Sequence, residues 1–344
     1  MSEAPYLPPS TEPSAVPSVS PEPSISPIPT ISPSISPELP LQTGELTETP
    51  TPVPDEAQPL DLVSYLPFAL AILFALISAV LAVLLVRAKK GKRPRAAQPA
   101  GPVSVGKLHE MGGRTSQQDC FAVSPEELMD SHGLLAVVAD GMGGLADGDK
   151  VSQTAVASLL DGFFSAKGEP AHILLSLAES ANRAVNHMLG ANIGKSGSTL
   201  VAGLLRDGLF HYISVGDSRI CLYRDGVLYQ LNREHIYRHE LSIQAVNGSG
   251  TLHEAFTHPK AAGLTSYLGM GQLKYIDIPA QPVAVRPGDK FILMSDGVYN
   301  ALSNEELSTA LTGTAAQAAE ELGLLIRGKA YQNQDNYTAV ILAC

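Results

Sequence analysis

Four apolar runs in this chain carry an aspartate at one end, beside glycine or another turn residue. They are "LLAVVAD" with Asp140-Gly141, "HYISVGDSR" with Asp217, "FILMSDG" with Asp296-Gly297, and "DNYTAVIL" with Asp335-Asn336. Alone, each aspartate reads as a turn former or a helix cap. Together, each abutting a strand that must be buried, they gather negative charge at one sheet edge, which is costly unless a cation compensates it. Oxygen donors without a His or Cys partner select hard ions such as Mg2+ or Mn2+. A pair of these ions lowers the pKa of a bridging water and clamps an oxyanion for in-line displacement, which points to a phosphoester as substrate.

The rest of the 344 residues divides by solvent preference. Residues 1–60 are rich in Pro and Ser, as in "PSVSPEPSISPIPTISPSISPELP". Proline at this density removes backbone donors and blocks helices, so a disordered, partly polyproline II tail is expected, free to act as a spacer, a recognition segment or a glycosylated stalk. Leu62 to Val86 is then a run of 25 residues without a charge. A spanning helix needs about 20 apolar residues, so 61–86 is expected to be a transmembrane helix. Arg87, Lys89, Lys90, Lys92, Arg93 and Arg95 follow at once. The positive-inside rule puts this basic linker, 87–102, and all that follows on the cytoplasmic side, with the acidic tail outside. The span and the basic cluster would bring the chain into contact with membrane lipid. Because the net charge of −11 is the sum of such unlike regions, it describes no single surface, and no nucleic-acid partner is expected.

Residues 103–344 read as a globular domain. Short β-like runs alternate with turn signals, and Asp225-Gly226 in "YRDGVLY" marks a hairpin. Helical patterns occupy about 148–165, 171–189, 304–311 and 314–329. Hairpins with segregated helices argue for an α+β fold rather than a doubly wound parallel sheet. Cys120, Cys221 and Cys344 lack CxxC spacing and indicate neither disulfides nor a zinc ribbon.

The ordered series "RTSQQD", "DGMGG", "GSTL", "GDSR", "SDG" and "DN" resembles the motifs of the metal-dependent, type 2C (PPM) serine/threonine protein phosphatases, bacterial in character. The resemblance implies a β-sandwich of two antiparallel sheets flanked by helices, with a binuclear Mn2+ or Mg2+ centre at one end. It implies that Asp140 bridges two ions, that Gly141 offers its carbonyl to one, and that Asp296 and Asp335 complete the other. Asp119 would sit beside the centre and help hold it, and Asp217 would join Asp296 at a third, weaker site. Arg114 would grip the substrate phosphate with its planar fork of donors. No covalent nucleophile is implied. Implied partners are phosphoprotein substrates in the cytoplasm and an opposing Ser/Thr kinase.

Several positions depart from that pattern. Gln117-Gln118-Asp119 stands where Asn-Glu-Asp is common, Met142 where many eukaryotic relatives carry a histidine, and Glu234-His235 where Asp-His is usual. The Gln117-Gln118 and Glu234-His235 departures motivate an alternative: a catalytically weak or inactive phosphatase-like scaffold that binds phosphoproteins. Three other signals are set aside. "GANIGKS" is one residue short of a phosphate loop, and His235 with His239 lacks a third zinc ligand, so both histidines are expected to be solvated flap residues. His253, Glu254 and His258 are expected at the surface of the same flap.

Overall fold

The computed structural model describes residues 66–89, 103–143 and 147–344. The expected tail and most of the basic linker lie outside the described residues. Helix α1, Leu66–Lys89, is 24 residues long. Its described large apolar side chains, from Leu66 to Leu84, are all exposed. Among the described residues no helix is long and apolar enough to cross a membrane.

In the C-terminal region, β1 (Ser104–Glu110), β2 (Asp119–Val123), the single-turn helix α2 (Met129–His132) and β3 (Leu134–Gly143) lead into helices α3 (Gly148–Ser165) and α4 (Pro170–Leu189). Strands β4 (Ser196–Ser198), β5 (Leu200–Arg206), β6 (Leu209–Val215), β7 (Arg219–Arg224) and β8 (Val227–Gln230) follow. Then come helices α5 (Tyr237–Val246) and α6 (Leu252–Thr257), strands β9 (Val283–Ala284) and β10 (Lys290–Met294), helices α7 (Asp296–Tyr299), α8 (Asn304–Ala310) and α9 (Ala315–Lys329), and strand β11 (Tyr337–Ala343).

Two antiparallel sheets result, one in the order β1-β11-β10-β7-β8, the other β2-β3-β5-β6-β9 with β4 paired to β3. Alternation along β3 explains why it reads as unbroken apolar sequence. Leu134, Ala136 and Val138 enter the core between the sheets, while Leu135, Val137 and Ala139 pack under α3 and α4. Strand β11 does the same: Val340 and Leu342 face the other sheet, and Ala339 and Ile341 face α7–α9. A strand buried on both faces has no polar side to show. The sheets are locked by Phe210 and Phe291, whose rings stack at 3.9 Å between centroids.

Local signals account for the boundaries. Capping boxes start α8 at Ser303 and Glu306, and α9 at Thr314 and Gln317. Asp225 and Gly226 carry φ of 53° and 80°, the left-handed pair that joins β7 to β8 in a tight hairpin. The expected helices and the α+β sandwich are therefore present. One expectation changes: β3 does not stop at Asp140. It leaves β5 after Val138 and continues through Gly143 against β4, so Asp140 sits where the strand switches partners.

Candidate functional site

The switch at Asp140 is held by small hydroxyls from two other motifs. The Asp140 amide donates to Thr199 Oγ1 at 3.0 Å, and its carbonyl accepts from the Thr199 amide at 2.9 Å and from Ser198 Oγ at 3.0 Å. Thr199 Oγ1 in turn meets Ser218 Oγ at 2.7 Å. Thus "GSTL" and "GDSR" fix the backbone of "DGMG". Gly141 is required by crowding: a Cβ there would lie 2.0 Å from the Gly148 carbonyl oxygen and 2.6 Å from that of Gln118. The start of α3 is thereby seated against the turn. Gly143 pairs with Ser196 across the β3–β4 ladder.

Around this point lies a recess of about 290 Å3, lined by Arg114, Asp140, Gly141, Asp217, Asp296 and Asp335 among others. Asp119 stands directly opposite Asp140 across the β2–β3 pair. It is buried, and its Oδ2 accepts from Ser295 Oγ at 2.7 Å. All seven residues singled out from the sequence are thus brought to one place, on five separate segments of chain.

Electrostatics follow from that crowding. Burial, then the fields of Asp119, Asp296, Asp217 and Asp335, push the Asp140 carboxyl well above its ordinary range. Burial raises Asp119 to about 6, reinforced by Asp296 and Asp335 and opposed by the Ser295 and Thr338 hydrogen bonds. Asp217 rises to about 7 through burial, Asp296 and Glu234. Asp296 is raised by burial and by Asp335. Carboxyls that resist ionisation together accept either protons or a cation.

Among the described residues no group of three or more His, Cys, Asp or Glu side chains stands close enough to hold a metal ion as placed. The contacts give the reason. Asp119 is turned to Ser295, and Asp335 Oδ2 is held by Arg114 Nη2 at 2.5 Å. The donor set nonetheless fits a hard divalent cation, being all oxygen and mutually repelling. Arg114, expected to grip phosphate, here neutralises an expected ligand. Both side chains are solvent-accessible, so the pair is exchangeable.

Other supporting residues escaped the sequence reading. Asn336 Oδ1 accepts from the Gln118 amide at 2.8 Å, while Nδ2 donates to the carbonyls of Met111 at 2.8 Å and Ser116 at 3.0 Å. That amide, together with the Gly113 amide on the Gln334 carbonyl at 2.8 Å, ties the loop carrying Arg114 to the segment leading into β11. Gln117 Oε1 caps the Asp119 amide at 3.0 Å, a task for which a neutral side chain suffices. Glu234 is buried and pairs with Arg219 at 2.6 Å, whose guanidinium lies 3.6 Å over the Tyr299 ring. His235 is not solvated: it is buried, its Nδ1 accepts from the Gly216 amide at 3.1 Å, and burial lowers its pKa. A ring nitrogen so engaged is unavailable to zinc. The flap segment itself contains α5 and α6, and there His253 and Glu254 are exposed while His258 is half-buried.

A protein phosphatase 2C family model matches residues 105–325. The serine/threonine protein phosphatase PstP of Mycobacterium tuberculosis is 31% identical over 218 residues, 60% of this chain and 40% of that protein. The chain therefore spans well under half the length of that relative. The serine/threonine phosphatase stp of Listeria monocytogenes is 26% identical over 215 residues, 60% of this chain and 83% of that protein. Among solved structures, the S. agalactiae serine/threonine phosphatase superposes with a TM-score of 0.61 at 25% identity, covering 70% of this chain and 99% of that one. The PstP catalytic domain in complex with two manganese ions gives a TM-score of 0.54 at 25% identity, covering 70% of this chain and 97% of that one. With its sandwich, its ordered motifs and a family model matched across most of the globular region, this chain belongs to the protein phosphatase 2C family.

Proposed function

We propose that this chain is a Mn2+- or Mg2+-dependent phosphatase acting on phosphoserine and phosphothreonine of cytoplasmic proteins, opposing a Ser/Thr kinase. The observation that carries this reading is the convergence of Asp119, Asp140, Asp217, Asp296 and Asp335 with Arg114 on one recess. Asp140, Gly141, Asp296 and Asp335 would hold two ions, with Asp119 supporting them and Asp217 joining Asp296 at a third, weaker position. When bound, such ions supply a water acidified toward neutral pH and a clamp for the phosphoryl oxygens. The chain's own part is positional. Arg114 leaves Asp335 and turns its fork to the phosphate, the Ser198–Thr199–Ser218 network keeps Asp140 in place, and the recess walls orient the ester for in-line displacement.

We further propose that residues 61–86 anchor the chain in the cell membrane as a single span, with the catalytic domain cytoplasmic and the tail outside. Supporting this are the uncharged run Leu62 to Val86, the helix Leu66–Lys89 with its exposed apolar side chains, and the basic residues that follow.

The S. agalactiae chain is matched over 99% of its length by the globular region, so a domain of this extent stands by itself. Residues 101–344, purified, are expected to hydrolyse p-nitrophenyl phosphate and a phosphothreonine peptide with Mn2+ or Mg2+ and not with EDTA. A folded sample inactive with either ion would refute the reading and favour the scaffold alternative. For the anchor, the full chain should sediment with membranes and resist carbonate extraction; release by carbonate would refute the span.

A further inference from the structure

We propose that a surface groove running from the catalytic recess to the free edge of β1 binds the polypeptide that flanks the phosphorylated residue, as an extended strand. Four recesses join end to end. The catalytic recess shares Asp335 with a second of about 460 Å3 lined by amides, including Asn300, Gln332 and Asn333. The second shares Tyr331 and Gln334 with a third of about 290 Å3, beside Gly112 and Gly113. The third shares Glu110 and Arg327 with a fourth of about 560 Å3, between β1 and α9.

Three features fit a peptide there. Among the described residues strand β1 pairs only with β11, so its other edge offers backbone donors and acceptors for strand addition. The α9 side of that edge is floored by Ala316, Ala319 and Gly323, small residues that leave room for a backbone. Midway, Tyr331 is 54% exposed, a rigid aromatic surface with no part in the core. Charge along the groove is balanced, with Glu110 paired to Arg327 and held by Tyr337 OH at 2.7 Å. Recognition is therefore of the main chain rather than of an acidic or basic motif. The occupant follows from continuity: the groove opens into the recess where the phosphoresidue would sit, so this inference rests on the phosphatase reading.

Two readouts separate the groove from that reading. The full chain in detergent is titrated with fluorescein-labelled peptides carrying a hydrolysis-resistant phosphonate analogue of phosphothreonine, lengthened by alanines on one side or the other. Hydrolysis of p-nitrophenyl phosphate is measured in parallel. Lengthening on one side is expected to tighten binding about tenfold. Tyr331→Ala and Ala316→Trp, both at exposed positions, should abolish that gain while p-nitrophenyl phosphate turnover stays unchanged. Binding that ignores length on both sides, or a gain that survives both variants, would overturn the groove. So would a gain seen only after residues 1–102 are removed, which would assign the groove to the chain's own linker. Loss of p-nitrophenyl phosphate turnover in the wild type refutes the phosphatase reading instead, and the binding series still decides the groove.

Discussion

Asp119 and Asp140 face each other as a cross-strand pair, at the start of β2 and at the point where β3 changes partner, two carboxyls where a sheet would ordinarily place partners that attract. The pair is a fixed local cost in the metal-free fold. Two hydrogen bonds moderate it for Asp119, from Ser295 and Thr338, whereas burial and four neighbouring carboxylates all raise Asp140.

Asp119→Asn removes one charge and keeps an oxygen for Ser295. In EDTA the variant should melt higher than the wild type, by about 2–4 °C for each kcal/mol of repulsion relieved in a domain of this size. In Mn2+ the order should reverse, because a ligand-side charge is lost. Differential scanning fluorimetry with and without the ion reads both, and a lower melting temperature in EDTA would count against the repulsion.

The pH dependence has a defined direction. Asp119 titrates near 6 when folded against 3.8 ordinarily, so between those values the folded protein binds more protons than the unfolded one. Stability attributable to this carboxyl is therefore lost as pH rises from about 4 to about 6. Urea midpoints of metal-free wild type and Asp119→Asn should coincide below pH 4, diverge in favour of the variant up to about pH 6, and run parallel above it. Parallel midpoints throughout would mean the carboxyl is not perturbed.

Arg114 is expected to matter for substrate and not for the ion. Losing a charged hydrogen bond worth about 1.5–3 kcal/mol should lower kcat/KM for phosphopeptide by roughly ten- to a hundredfold in Arg114→Ala. Mn2+ affinity by calorimetry should hold or tighten, since Asp335 is released. Arg114→Lys should recover little, because an ammonium cannot reproduce the fork.

Asn336 is the residue whose importance is least visible from its motif. Asn336→Ala leaves the Met111 and Ser116 carbonyls and the Gln118 amide unpaired, at about 1–3 kcal/mol each if they stay buried. Stability and kcat/KM should fall together. Asn336→Asp keeps the acceptor and loses both donors, so it should rescue neither.

Legibility in the sequence was uneven for physical reasons. Strand-end aspartates and the 3.6-residue periodicity of α3 and α4 are local signals, and they located the acidic cluster and those helices within an α+β fold, while the sandwich itself followed from the resemblance of the ordered motifs. The supports were hidden because they are contacts between distant segments: Ser295 with Asp119, Thr199 with Ser218, Asn336 with the Arg114 loop. A serine or an asparagine in a turn looks alike whether it meets water or a catalytic loop. Helices α5 and α6 were missed because 10 and 6 residues give too little periodicity to read. His235 was misread for a related reason, since nothing nearby in sequence announces the Gly216 amide that buries it.

Strand β11 lies between β1 and β10, yet among the described residues it follows every other strand in sequence, so the ladder it completes joins residues as far apart as Ser104 and Ala343. On the ribosome, everything from Arg114 to Asp296 emerges before the strand that must slot into the middle of its sheet. A nascent or prematurely terminated chain therefore lacks Asp335, Asn336 and the central rib of one sheet at once. Order of synthesis thus acts as a safety catch: Asp335 and Asn336 are the last of the recess-lining residues to be made, so the recess stays open-sided until every other wall has already been translated.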